Sequence, residues 1–317
     1  MDIIDGEFKE FSKKHDGSRV LQALLKYGSA NQREVVIKAL KSEFVAMMNE
    51  KYSHHICLKI LKFCPNQCKG DRREMIVQVL DKMSVLIMHM LASEIIDGLY
   101  QQASPEEKSE MVHAFYGKFF IVMQQGGYKS LKEMVENKPN LKTEILVHLE
   151  SLIHKLIDKG LIRHQIVQAI IWDFFEVAST SQQNEIANLL QEKFPALLLS
   201  TEGLKVAVAM FMISSAKDRK KIVKQLKGNV KEMITNPIAN KLLIAIISNY
   251  DDTVTCKKYI VNELVTNLEE TIDDEEAQAL YIGVFNPECK QVFSPQMMEA
   301  MNVFKDKSTS VKDPEAR

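Results

Sequence analysis

Six lysines, Lys217, Lys220, Lys221, Lys224, Lys227 and Lys231, recur at steps of mostly three or four residues. On a helix that spacing puts their ammonium groups along one face, opposite Ile222, Val223 and Leu226. Such a row, with Asp218 the one interleaved acid, could track a chain of phosphates. Its plain alternative is a solvated helix face. Tyr128 and Lys129 set an aromatic beside a cation, a pairing able to stack on a base and hold its phosphate. Gly126-Gly127 just ahead would equally make a simple turn. His54 and His55 offer two planar rings, either for stacking or as ordinary surface histidines. Cys64 and Cys68 suggest zinc only if two more ligands join them, because a structural site needs four. Loop thiols are expected, with no metal and no other cofactor. The sequence holds no Gly-rich phosphate loop, no Gly-x-Ser-x-Gly and no His-Glu-x-x-His. The acidic run Glu269-Glu270 and Asp273 to Glu276 lacks calcium-loop spacing. It reads as a solvated loop or as a contact for a basic protein. Neither an enzyme nor a small-molecule substrate is expected.

The elements that must carry these groups are helices. Gly and Pro total 20 of 317 residues, about half of ordinary usage, which leaves few turns for sheets. A chain of this length exceeds the size at which one core stops growing, roughly 250–300 residues. It therefore needs two domains or a core that grows lengthwise. The net charge of −1 hides unlike segments. Residues 1–90 hold 15 Lys/Arg against 11 Asp/Glu, residues 218–250 hold 7 against 2, and residues 251–317 hold 7 against 14. This pattern argues against indiscriminate coating of nucleic acid but leaves room for a local basic stripe. Five scattered cysteines point to a reducing compartment. No segment reaches the roughly 18 apolar residues of a membrane span, and the acidic N-terminus does not read as a secretory signal. A soluble intracellular chain with no membrane partner is expected.

The sequence repeats. Two apolar residues, a variable position, one more residue and two further apolar residues recur along the chain. Val20 to Leu25, Ile56 to Leu61, Ile95 to Tyr100, Val206 to Phe211, Leu242 to Ile247 and Leu280 to Phe285 all fit, with weaker copies around Lys132 and Ala169. Taking the third residue as a marker, the series runs 22, 58, 97, 132, 169, 208, 244, 282, with gaps of 35 to 39 residues. Apolar pairs four apart form a broad stripe on one side of a helix. A polar break and a second amphipathic stretch follow most copies. In one, Ser104 suits an N-cap, Pro105 the first helical position and Glu107 a capping box. A shorter helix, such as Val230–Ile234, then leads to the next copy. Each unit is thus about three helices, too small to bury its own apolar face, and stacking is the physical solution.

Gly17-Ser18-Arg19-Val20-Leu21-Gln22, with Lys26-Tyr27-Gly28 and Asn31-Gln32-Arg33, resembles the second helix of a Pumilio-homology repeat. Lys51 to Ile56 is similar to the same element of a second repeat. Thr201 to Val208, Lys217 to Val223, and Trp172-Asp173-Phe174-Phe175 resemble the Puf-A branch of that family. The resemblance implies an all-α fold: a right-handed α-solenoid of about eight three-helix repeats. The unbroken repeat series reads as one domain over residues 1–305, and DKSTSVKDPEAR, 306–317, reads as a disordered tail. In sequence-reading members, two side chains of each second helix reach a base edge and a third stacks between bases. The equivalent triple Ser18, Arg19, Gln22 is intact. Its successors are His54, His55, Leu58; Ser93, Glu94, Asp97, whose acids would repel phosphate; and Tyr128, Lys129, Lys132. Then come Gln165, Ile166, Ala169; Leu204, Lys205, Val208; Asn240, Lys241, Ile244; and Gln278, Ala279, Ile282. One intact triple in eight is not a code. The resemblance therefore implies RNA binding with little sequence preference, in nucleolar assembly of the large ribosomal subunit. The expected contacts are Ser18, Arg19, Gln22, His54, His55, Tyr128, Lys129, Lys205 and Lys241, with the lysines of the stripe from Lys217 to Lys227. Expected partners are pre-ribosomal RNA or messenger RNA and pre-ribosomal proteins, the chain being a monomer. Two other readings remain open: a helical scaffold for proteins, and a translational repressor.

Overall fold

The computed structural model describes residues 7–64, 69–287 and 289. Among them every regular element is helical and none is a strand. Each of the eight markers falls in its own helix. We label these α1 (His15–Tyr27), α2 (His54–Phe63), α3 (Met90–Gln102), α4 (Leu131–Asn137), α5 (Gln165–Val177), α6 (Thr201–Ile213), α7 (Ala239–Asn249) and α8 (Glu275–Phe285). A further helix follows most of them, as with Ala30–Leu40, Pro105–His113, Thr180–Leu190 and Ala216–Leu226. A short one, such as Phe44–Met48 or Val230–Ile234, then leads into the next. The three-helix unit of the sequence is the unit of the fold, an all-α repeat architecture.

The chain forms two compact units, Met1–Leu149 with His164–Ile166, and Glu150–Arg163 with Val167–Arg317. In the first, α1 packs on α2 and α2 on α3; in the second, α6 packs on α7 and α7 on α8. Ile95, Ile96, Leu99 and Tyr100 of α3 are buried, as are Val206, Ala207, Met210 and Phe211 of α6. Burial of such side chains contributes about 1.5–3 kcal/mol each. Ser29, Ser104 and Ser179 each close a capping box at the start of the following helix, and Pro105 occupies the first turn of its helix. Two of these helices also reach back by an arginine. Arg33 Nη2 donates to the Lys26 carbonyl, and buried Arg219 donates from Nε and Nη2 to the carbonyls of Phe211 and Met212. The C-terminal carbonyls of α1 and α6, orphaned by helix geometry, are thereby satisfied.

Gly17 and Gly203 share one register position, five residues before their markers. A Cβ at Gly17 would lie 2.0 Å from the Phe11 carbonyl oxygen, and one at Gly203 would lie 2.1 Å from that of Leu197. Each marker helix therefore begins pressed against the backbone of the helix before it. Ser53, Ala92, Ala239 and Ala277 hold the same register position in other repeats, so the site as a rule takes small residues.

Candidate nucleic-acid interface

In the first unit, the three register positions of each triple have different fates. The first position turns inward. Ser18 is 1% exposed, and its hydroxyl donates to the Tyr52 carbonyl at 2.8 Å while accepting from Gln22 Nε2 at 3.0 Å. The expectation that Ser18 touches RNA is corrected: the hydroxyl ties α1 to the turn before α2. His54 is likewise corrected. It is 7% exposed, with Nδ1 2.8 Å from the Glu50 carbonyl oxygen. Ser93 is buried and donates to the Met90 carbonyl.

The middle position turns outward. Arg19, His55, Glu94 and Lys129 are all exposed. Among the described residues Arg19 has no hydrogen bond or ion pair, so its guanidinium is available. The His55 ring lies against that of His54, tilted by 40° with 3.8 Å between centroids. Partial burial, and then the neighbouring His54 and Lys59, push His55 below the ordinary imidazole value. At neutral pH it is an uncharged ring, suited to stacking and not to pairing with phosphate. Tyr128 is half-buried, and Lys129 carries its charge outward while its amide donates to Glu133. Both line a cavity of about 600 Å³ with Pro105, Ser109, His113, Phe120 and Met123.

At the third position, Gln22 is half-buried against Ser18. Asp97 is buried, contrary to its reading as a surface repellent. Its carboxylate accepts from the Ile166 amide at 3.1 Å and from Gln101 Nε2 at 2.9 Å. Glu94 alone of that acidic pair faces solvent.

In the second unit, Asn240 repeats the role of Ser18. It is buried, and Nδ2 donates to the Glu276 carbonyl at 3.0 Å. Tyr52 and Glu276 both lie six residues before their markers, so this is one bond made twice. Lys205 is half-buried with Nζ 5.6 Å from the centroid of the Trp172 ring. Lys241 is half-buried and donates to the Pro237 carbonyl.

The lysine stripe is partly as expected. Ile222, Val223 and Leu226 are buried on the inner side of the Ala216–Leu226 helix, and Lys217, Lys220, Lys221 and Lys224 are exposed on the outer. Two points are corrected. The helix ends at Leu226, and Gly228 at φ 83° turns the chain, so Lys227 and Lys231 do not continue its face. Acids also intervene: Lys220 pairs with Asp252 at 3.6 Å, Lys221 with Asp218 at 2.9 Å, and Lys231 with Glu270 at 2.5 Å. Such exposed pairs are worth little, about 0–1 kcal/mol, and give way to a phosphate. Among the described residues Lys217 and Lys224 have no acidic partner. Lys227 instead lies 5.8 Å from the Tyr259 ring centroid, which Lys258 approaches to 5.4 Å from its own side.

Exposed Lys257 and Lys258 were absent from the sequence expectation. The period could have found them: Lys257 follows Lys221 by 36 residues, the gap between their markers. The acidic run is corrected too. Glu269 and Glu270 belong to the Asn262–Thr271 helix, and Asp274 caps α8, its carboxylate accepting from the Glu276 and Ala277 amides. Glu275 and Glu276 in the first turn suit the positive end of the helix dipole. Cys64 is buried and its thiol is pushed up by burial; Cys68 lies outside the described residues, as does the stretch 306–317.

The backbone matches a solved structure over nearly all of its length. Human Puf-A superposes with a TM-score of 0.84 at 24% identity, covering 99% of this chain and 61% of that one. Human Puf-A in complex with DNA gives a TM-score of 0.85 at 24% identity, covering 99% and 62%. The chain has the helical-repeat fold of Puf-A. Its sequence relatives agree. Pumilio homolog 3 of Rattus norvegicus is 25% identical over 313 residues, 98% of this chain and 48% of the relative. Pumilio domain-containing protein 12 of Caenorhabditis elegans is 28% identical over 290 residues, 90% and 37%. Pumilio homology domain family member 6 of Saccharomyces cerevisiae is 27% identical over 306 residues, 95% and 46%. The chain thus spans about half the length of these relatives or less. No family model matches it.

Proposed function

We propose that this protein binds RNA through its phosphates and stacked bases with little regard to sequence, in the assembly of the large ribosomal subunit in the nucleolus. The observation that carries the binding mode is the division of the register. First positions such as Ser18 and Asn240 are buried in bonds between repeats, while middle positions present Arg19, His55, Lys129, Lys205 and Lys241. Cations and flat rings hold any strand, whereas discrimination needs paired donors and acceptors at base edges. The DNA complex of human Puf-A, a protein of like fold, supports nucleic acid as the ligand class, and the likeness to that branch supports the ribosomal setting.

Competition between a labelled strand and scrambled single strands of equal length tests the mode. Affinities are expected to agree within about tenfold, or roughly 1.4 kcal/mol. A thousandfold preference for one sequence would overturn it. A protein-binding scaffold is the second reading, favoured by Ile282 and Phe285 on α8, which are 51% and 90% exposed. Capture of a protein partner that is lost on replacing both by Ser, with RNA affinity intact, would put that reading ahead.

A further inference from the structure

Trp172 is the single tryptophan of the chain. It lies on α5 three residues past the marker Ala169, its ring half-exposed. Lys205 approaches it from α6, the ammonium 5.6 Å from the indole centroid. From Val206 to Ile213 α6 is buried, so Thr201, Glu202 and Lys205 make up most of what this helix shows to solvent. An aromatic face and a cation, delivered by neighbouring repeats, therefore meet at one surface point.

We propose that Trp172, which lies outside the three register positions, forms with Lys205 a stacking platform for one base of a single-stranded RNA, a contact that rests on the RNA-binding reading above. Indole offers the largest flat face of any side chain, and stacking on it is tolerant of sequence because every base has a π-face. That suits a surface whose first register positions at Ser18, His54, Ser93 and Asn240 are buried. The ammonium already over the ring holds it by a cation–π contact. Its flexible four-carbon stem lets it move to the phosphate of the nucleotide whose base takes its place.

The test uses the parent chain and a fluorescein-labelled twelve-nucleotide oligouridine, following strand anisotropy and Trp172 emission in the same titration. Emission is expected to fall along the anisotropy isotherm. Trp172→Ala is expected to weaken binding about 5- to 150-fold, the range for losing one stacked base, and Trp172→Phe to recover most of the loss. Should Trp172→Ala lose helical content, the parent titration decides alone. Binding by anisotropy with unchanged emission would overturn the platform and leave the RNA-binding reading standing. No rise in anisotropy would overturn the RNA-binding reading and the platform with it.

Discussion

Replacing Lys217 and Lys224 by Met removes two exposed cations that have no acidic partner among the described residues, from a helix whose buried side is made by Ile222, Val223 and Leu226. The fold is expected to survive, since neither lysine reaches the core. If both neutralise phosphates, the slope of log K against log salt becomes shallower by about 0.7 for each on a single strand, or about 1.4 in all. Between 50 and 200 mM salt the parent would then lose affinity about sevenfold more than the variant. Lys220 and Lys221 make the contrast. They already lie beside Asp252 and Asp218, so part of their charge is balanced before RNA arrives. Replacing that pair by Met is expected to change the slope less. Anisotropy titrations at four salt concentrations, with circular dichroism as the folding control, give all three slopes. Equal slopes for parent and both variants would refute the phosphate-tracking argument and leave the lysines as a solvated face.

Gly203→Ala is expected to destabilise the fold by about 1–3 kcal/mol in urea melts, the usual cost of overpacking, because its Cβ would meet the Leu197 carbonyl oxygen and the Gln168 side chain; Ala239→Gly, at the same register without that need, should cost less. Burial holds His113 down at about 4, below its value in the unfolded chain. The unfolded chain thus binds the extra proton as pH falls, so this contribution is complete above about pH 6.5 and lost toward pH 4, roughly 3 kcal/mol in all; His113→Gln should flatten that part of the stability profile. The repeat series has no Pro-, Gly- or Ser-rich break, so we expect one cooperative unfolding transition; two protease-stable fragments would show the two compact units acting as separate domains.

Much of the architecture was legible because it is periodic. Helix markers, the capping box at Ser104 and the buried side of the lysine helix all follow from spacing within a few residues. The Gly17-Ser18-Arg19 string was readable as a resemblance, but its physics was not. Gly17 is small because of the Phe11 carbonyl, and Ser18 is buried because Tyr52 lies 34 residues on. Amphipathic patterns see neighbours on one helix; they do not see the acids Asp252 and Glu270, which arrive from later elements to meet Lys220 and Lys231. For the same reason Trp172 entered the sequence reading only within a resemblance, until Lys205 was placed beside it.

The bond from Ser18 to the Tyr52 carbonyl, repeated by Asn240 and Glu276, bears on any attempt to retrofit this protein with a recognition code. In a programmable reader the first register position is free to be exchanged, one residue for one letter. Here it is a hinge pin. Exchanging Ser18 or Asn240 for a longer base-reading side chain leaves a partly buried carbonyl of the next repeat without its donor, at a cost of about 1 kcal/mol. A designer would have to rebuild the joint before writing the letter, so a lineage that has committed these atoms to joinery does not easily return to spelling.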